Sequence, residues 1–163
     1  MVKQKMILFC GLPGTGKTTR AKIYAKEQGY EYFGIDEYYL KVNGDDRDRK
    51  NFFGVWMKLW EDLHEAEVAE KDVVVDVGAI LSYQRDQFVD WFPSFRHILV
   101  YFEADKDLII KNNTSRQRSV PFDVLENKMK EYQMASVEGD FRWDEIYIIK
   151  NIDNENFEKK RLK

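Results

Sequence analysis

Apolar residues recur along this chain in two rhythms. Met6–Cys10 is a continuous apolar run that stops at Gly11, the pattern of a strand covered on both faces. From Lys17 to Gln28, Ala21, Tyr24 and Ala25 fall on one helical face, and Gly29 stands where a helix would stop. A second short strand is expected over Tyr30–Gly34, followed by the acidic pair Asp36 and Glu37 and a polar loop from Asn43 to Lys50. Asn51–Glu70 carries Phe52, Trp56, Leu59, Leu63 and Ala66 at helical spacing, a stripe expected to be core. Asp72–Val77 reads as a third strand, Ser82–Phe92 as a helix with Ser82 near its N-cap, and Ile98–Phe102 as a fourth strand. A helix around Lys106–Lys111, a polar loop Asn113–Ser119, a helix from Pro121 to Met134 and a fifth apolar run, Ile146–Ile149, follow.

Strands thus alternate with helices, which predicts an α/β fold: a parallel sheet covered on both faces, with ligands at the carboxyl ends of its strands. Residues 1–152 are expected to form a single domain, and 153–163 a polar tail that frays. The length of 163 residues, 44% of them hydrophobic, suffices for one buried core. A net charge of -3 gives no general attraction to nucleic acid or to anionic membrane, so any anionic partner must be met by a local basic cluster. Cys10 is the single cysteine and reads as a small buried hydrophobe, because nothing beside it would activate a thiol. No segment has the length of a signal peptide or membrane span, and a cytosolic protein is expected.

The stretch Gly11-Leu12-Pro13-Gly14-Thr15-Gly16-Lys17-Thr18-Thr19 fits the pattern G-x-x-x-x-G-K-[ST], with a buried strand leading in and a helix leading out. Glycines let the backbone curl so that successive N–H groups face a phosphate, the helix adds the positive end of its dipole, and Lys17 adds a point charge. Thr18 supplies a hydroxyl for Mg2+. All nine residues are expected to line a nucleoside triphosphate.

Three classes share such a loop. A GTPase switch needs D-x-x-G after the third strand and N-K-x-D later; the chain has Asp76-Val77-Gly78-Ala79 and Asn127-Lys128-Met129-Lys130. Ring-forming ATPases need a further helical domain, which this length does not hold. A small kinase remains, and it requires a proton acceptor, an acid that organises Mg2+ and cations for the moving phosphoryl group. Asp36 follows the second strand and Asp76 ends the third, so both fall on the carboxyl edge of the sheet. Arg116 and Arg118 sit in the loop Asn113–Ser119, placed to reach the transferred phosphate.

Four blocks, GLPGTGKTT, IDEYY, VVVDV with Arg85 downstream, and TSRQRSVPFDVLENKM, resemble the P-loop kinases of the polynucleotide 5′-hydroxyl kinase type and the small kinases around them, within the adenylate-kinase-like fold. The resemblance implies five parallel strands in the order 2-3-1-4-5, ATP and Mg2+ as cofactors, Lys17 and Thr18 on phosphate and metal, Asp36 as general base and Arg116 as the lid arginine. It implies that Asp76 helps to hold Mg2+ or the substrate side, and that Asp36, Tyr39, Asp76 and Arg85 face the acceptor. Where those kinases carry an arginine three residues after the base, this chain has Tyr39, and the gap from Asp76 to Arg85 is one residue longer.

The acceptor is therefore the open part: the 5′-OH of a polynucleotide or nucleoside-like compound, another small metabolite, or none, in a nucleotide-binding module without transfer. Tyr38, Tyr39, Phe52, Phe53 and Trp56 could stack on a base, but helical spacing assigns most of them to the core. In Asp45-Asp46-Arg47-Asp48-Arg49-Lys50 the acids nearly cancel the bases, the pattern of a solvated loop. The basic run Lys159-Lys160-Arg161-Leu162-Lys163 is expected to be a mobile end, and no chemistry is assigned to His64 or His97.

Overall fold

The computed structural model describes residues 2–116 and 119–163. Strand β1 (Lys5–Gly11) lies at the centre of a six-stranded sheet, paired in parallel with β3 (Val73–Asp76) on one side and β4 (Arg96–Ala104) on the other. Outside these lie β2 (Glu31–Gly34), parallel to β3, and β5 (Glu145–Asn151), parallel to β4. These five strands stand in the order expected. The sixth, β6 (Phe157–Arg161), is antiparallel to β5 and gives the order β2-β3-β1-β4-β5-β6.

The central strand is apolar from Met6 to Cys10 because alternate side chains enter two different cores. Ile7 and Phe9 pack with Ala21 and Ala25 of α1 (Lys17–Gln28), whose last turn is closed by Gly29 at φ 71°. Met6, Leu8 and Cys10 pack on the other face with Val55, Leu59, Leu63 and Ala66 of α3 (Phe52–Val68) and with Phe88 of α4 (Ser82–Trp91). Each of the Val, Leu, Ile, Phe and Met side chains among these contributes about 1.5–3 kcal/mol by leaving water. A third, smaller cluster of Leu12, Ile80, Ile109 and Leu125 joins the loop after β1 to α5 (Lys106–Ser115) and α6 (Phe122–Glu131). This cluster seats both helices at the carboxyl edge.

The chain departs from its expected pattern in several places. Residues after β2 form a helix, α2 (Ile35–Asn43), where no element was expected. Helix α5 runs on to Ser115, so it absorbs the first part of the expected loop Asn113–Ser119. Ser82 opens α4 next to its N-cap Leu81, as expected, with its hydroxyl bonded to Gln133 at 3.0 Å. Phe52, expected in the core stripe of α3, is 62% exposed.

The basic end, expected as a mobile tail, pairs with β5 as strand β6. Phe157 packs in the α1-side core and Leu162 against the opposite core. Lys159 and Arg161 are held over the Tyr147 ring at 4.6 and 5.5 Å from its centroid, a cation–π arrangement that fixes two charges the sequence pattern marks as free.

Candidate functional site

The loop between β1 and α1 turns twice through backbone conformations that favour glycine. Gly14 (φ 83°) passes so close to α5 that a Cβ would stand 2.7 Å from the Ile109 carbonyl oxygen, and Gly16 (φ 83°) is the N-cap of α1. Thr15 is fully buried and donates its hydroxyl to the Leu12 carbonyl at 2.9 Å, so its side chain braces the loop and only its backbone faces a ligand. Leu12 likewise sends its side chain into the cluster under α5 and α6. Pro13, Gly14, Thr18 and Thr19 form the accessible rim.

Lys17 donates to Asp76 Oδ1 at 2.9 Å and to the Val77 carbonyl at 3.2 Å, which leaves one ammonium proton for a phosphate. Asp76 is 4% exposed, and the strand register sets it beside Phe9 of β1 and Gly34 of β2. Burial would push its carboxyl up; the Lys17 charge and the hydroxyls of Tyr32 and Thr18 outweigh that and hold it below the ordinary carboxylate range. Tyr32 donates to Asp76 Oδ2 at 2.7 Å. The ring reaches there because position 34 is glycine: a Cβ on Gly34 would collide with the Tyr32 hydroxyl. Sequence reasoning passed over Tyr32, whose role shows only once β2 and β3 are in register with residues 32, 74 and 76 on one face.

Asp36 sits in the first turn of α2, two positions beyond the residue paired with Asp76. Arg49 donates from Nη2 to Asp36 Oδ1 at 2.7 Å, while its guanidinium lies 4.3 Å from the centroid of the Tyr39 ring. The acidic-basic loop expected to be solvated therefore returns one arginine to the site. Tyr39 is 4% exposed and serves as the platform under Arg49, and Tyr38 donates its hydroxyl to Asp62 at 2.6 Å. Lys128 of α6 was also missed. Burial lowers its pKa, and the charges of Lys17 and Arg49 lower it further while Asp36 opposes them. It lies three residues after the fully buried Leu125, on the helix face that meets the loop.

Arg85 does not line the acceptor side. It is fully buried, donating from Nε and Nη2 to Asp140 at 2.7 and 3.0 Å and from Nη1 to the carbonyls of Ala79 and Gln133, each at 3.0 Å. It is a strut between α4 and the segment that precedes β5. Arg116 is exposed at the C-cap of α5, one turn beyond Asn112, which bonds to Gly14. Arg118 lies outside the described residues. Cys10 is buried, which pushes its thiol up to about 12 and leaves it inert. His97 Nε2 lies 2.8 Å from the Phe92 carbonyl oxygen within the core. Among the described residues no cluster of three or more His, Cys, Asp or Glu could hold a metal, and no helix is long and apolar enough to cross a membrane.

A phosphate loop between the central strand and a helix, with a buried acid on the neighbouring strand and the sheet order described, defines a P-loop protein of the small-kinase fold. The chain belongs to a family described as AAA domain (AAA_33), whose model matches residues 6–138. The L-seryl-tRNA(Sec) kinase of Methanococcus maripaludis is 24% identical over 150 residues, a match spanning 85% of this chain and 56% of that protein. The chain thus spans little more than half the length of that relative. Among solved structures, a sugar kinase from Janibacter sp. HTCC2649 superposes with a TM-score of 0.66 at 19% identity, covering 91% of this chain and 85% of that one. A chain of the Pnkp1/Rnl/Hen1 RNA repair complex superposes with a TM-score of 0.71 at 14% identity, covering 80% of this chain and 44% of that one. At these identities the two structures bear on the fold alone.

Proposed function

We propose that this protein is an ATP-dependent kinase that transfers the γ-phosphate to a hydroxyl group, with the 5′-OH of a polynucleotide or nucleoside-like compound as acceptor. The observation that carries the reading is the meeting, at one sheet edge, of the phosphate loop with Lys17 on Asp76 and of Asp36 two residues past the register partner of Asp76.

The loop binds the triphosphate through the backbone N–H groups of residues 14–19, at the turn and the first turn of α1, and through the remaining Lys17 proton. Asp36 accepts the proton of the acceptor hydroxyl as that oxygen bonds to the γ-phosphorus; the bond from this phosphorus to the bridging oxygen breaks and ADP departs. Arg49 orients Asp36 by holding Oδ1, which leaves Oδ2 to receive the proton. Arg116 offers its guanidinium to the charge on the phosphoryl group in transit. The Thr18 hydroxyl and the Asp76 carboxylate are hard oxygen donors of the kind that suits Mg2+, which when bound neutralises charge on the outer phosphates. The cytosol, where a lone buried thiol is at home, is the compartment we assign.

Support for a nucleic-acid-linked acceptor comes from the relative named for seryl-tRNA. Exposed Phe52 and Phe53, beside Arg49 in the chain, offer apolar faces next to a cation, suited to a base and its phosphate. The test supplies radiolabelled ATP with 5′-OH oligonucleotides, nucleosides, sugars and aminoglycosides. Label on a 5′-OH oligonucleotide but not on its 5′-phosphorylated form supports the proposal. Label on a sugar or aminoglycoside alone reassigns the acceptor. ATP binding with no transfer to any of them leaves a nucleotide-binding module.

A further inference from the structure

Three asparagines outside the recognised motif converge on the back of the phosphate loop. Asn151, at the end of β5 and 1% exposed, donates from Nδ2 to the Thr15 carbonyl at 3.2 Å and to Asn154 Oδ1 at 3.0 Å. Asn112, on α5, donates from Nδ2 to the Gly14 carbonyl and to Asn154 Oδ1, both at 2.8 Å. Asn154, in the β5–β6 turn, closes the ring: its Nδ2 donates to Asn112 Oδ1 at 2.8 Å and its backbone N–H to Asn151 Oδ1 at 2.7 Å. Both amide protons of Asn112 and of Asn151 are thereby used. Because the loop carbonyls only accept, each amide nitrogen must face the loop.

A trans peptide plane points its C=O and its N–H in opposite directions. Holding the Gly14 carbonyl outward turns the Thr15 N–H inward, and holding the Thr15 carbonyl outward turns the Gly16 N–H inward. Those are donors that a phosphate in the nest would use. With either carbonyl turned inward, an oxygen would face the anion.

We propose that Asn112, Asn151 and Asn154 are positioning residues for the nucleotide, an amide clasp that keeps the loop's N–H groups aimed at the phosphates before one arrives. Two further features fit this role. Asn154 adopts φ 73°, a conformation an asparagine tolerates at some cost, and here its amide sits at the hub. The clasp also leaves no slack, since a Cβ on Gly16 would stand 3.2 Å from Asn151 Nδ2. The inference rests on reading residues 11–19 as a nucleotide site.

The test measures affinity for a fluorescent mant-ATP, and for inorganic tripolyphosphate by competition, in the full chain well below its melting midpoint. Asn112→Asp keeps the shape but replaces donors with acceptors, and should weaken mant-ATP at least ten-fold; Asn112→Gln, which retains the amide, should stay within about three-fold of wild type. Asn154→Gly suits the same backbone conformation and deletes the hub amide. It should weaken both ligands by about three- to ten-fold with the melting midpoint preserved, and it decides the matter if Asn112→Asp does not fold. Asn156→Ala disturbs the same turn without touching the loop and should bind as wild type does. Wild-type affinity in both Asn112→Asp and Asn154→Gly overturns the clasp, as does a loss in Asn112→Gln equal to that in Asn112→Asp. If the wild-type chain itself binds neither mant-ATP nor tripolyphosphate, the nucleotide site falls, whatever the variants do.

Discussion

Arg49 and Asp36 form an ion pair at 2.7 Å that spans the gap between a loop and the first turn of α2, with the guanidinium resting on the Tyr39 ring. Thirteen residues separate the two in the chain. The pair fixes the direction of the Asp36 carboxylate, the group we propose as proton acceptor.

Asp36→Asn removes the acceptor of that proton and keeps the shape. Turnover should fall by about 10²–10⁴-fold while affinity for ATP changes less than about three-fold, as read by initial rates beside nucleotide titration. Unchanged turnover would take Asp36 out of the mechanism.

Arg49→Ala should raise the KM for acceptor by about ten-fold and lower kcat, with the KM for ATP little changed, because the side chain bonds to Asp36 and rests on the Tyr39 ring. A defect confined to ATP would contradict its position.

Arg116→Ala should lower turnover by up to about 10³-fold and nucleotide affinity far less, since a cation that meets the moving phosphoryl group acts chiefly in the transition state. Equal losses in both would assign Arg116 to ground-state binding.

Arg85→Ala should leave ATP affinity intact in whatever protein folds and cost about 3–5 kcal/mol of stability in urea unfolding, because it strands the fully buried Asp140. A change in the KM for acceptor without loss of stability would return Arg85 to the site.

Asp76 gives stability a pH signature. Its folded carboxyl lies below the ordinary value of 3.8, so its contribution is complete above that value and is lost as pH falls through the lower folded one. Tyr32→Phe removes one donor and narrows the difference, so the fall of the urea midpoint as pH drops through and below 3.8 should shrink. An unchanged acid limb would mean that the hydroxyl does not favour the ionised form.

The phosphate loop, the two acids and the alternation of strands with helices were legible because each is local: a glycine spacing, an apolar run ending in an acid, two hydrophobic rhythms in turn. The order of the five strands is not local and came only with the resemblance. What escaped depends on partners distant in the chain. Ile35, Tyr38 and Tyr39 carry helical spacing, but α2 is short and its acids drew the eye to chemistry. Arg49 sits among acids that nearly cancel it, and only the fold shows that Tyr39 and Asp36 select that one cation. The resemblance put Arg85 on the acceptor side, and nothing in its neighbourhood announces Asp140, a partner 55 positions away. The Lys-rich end reads as a frayed tail until Tyr147 is seen beneath it.

That last strand is one border of the sheet. A sheet must end somewhere, and an open border of unpaired amides invites another chain to extend it. Here one border is four residues long and the other bears Glu158, Lys159, Lys160 and Arg161 in succession. A second copy laid alongside would crowd those cations against their own kind, so the charged hem guards against stacking into fibrils.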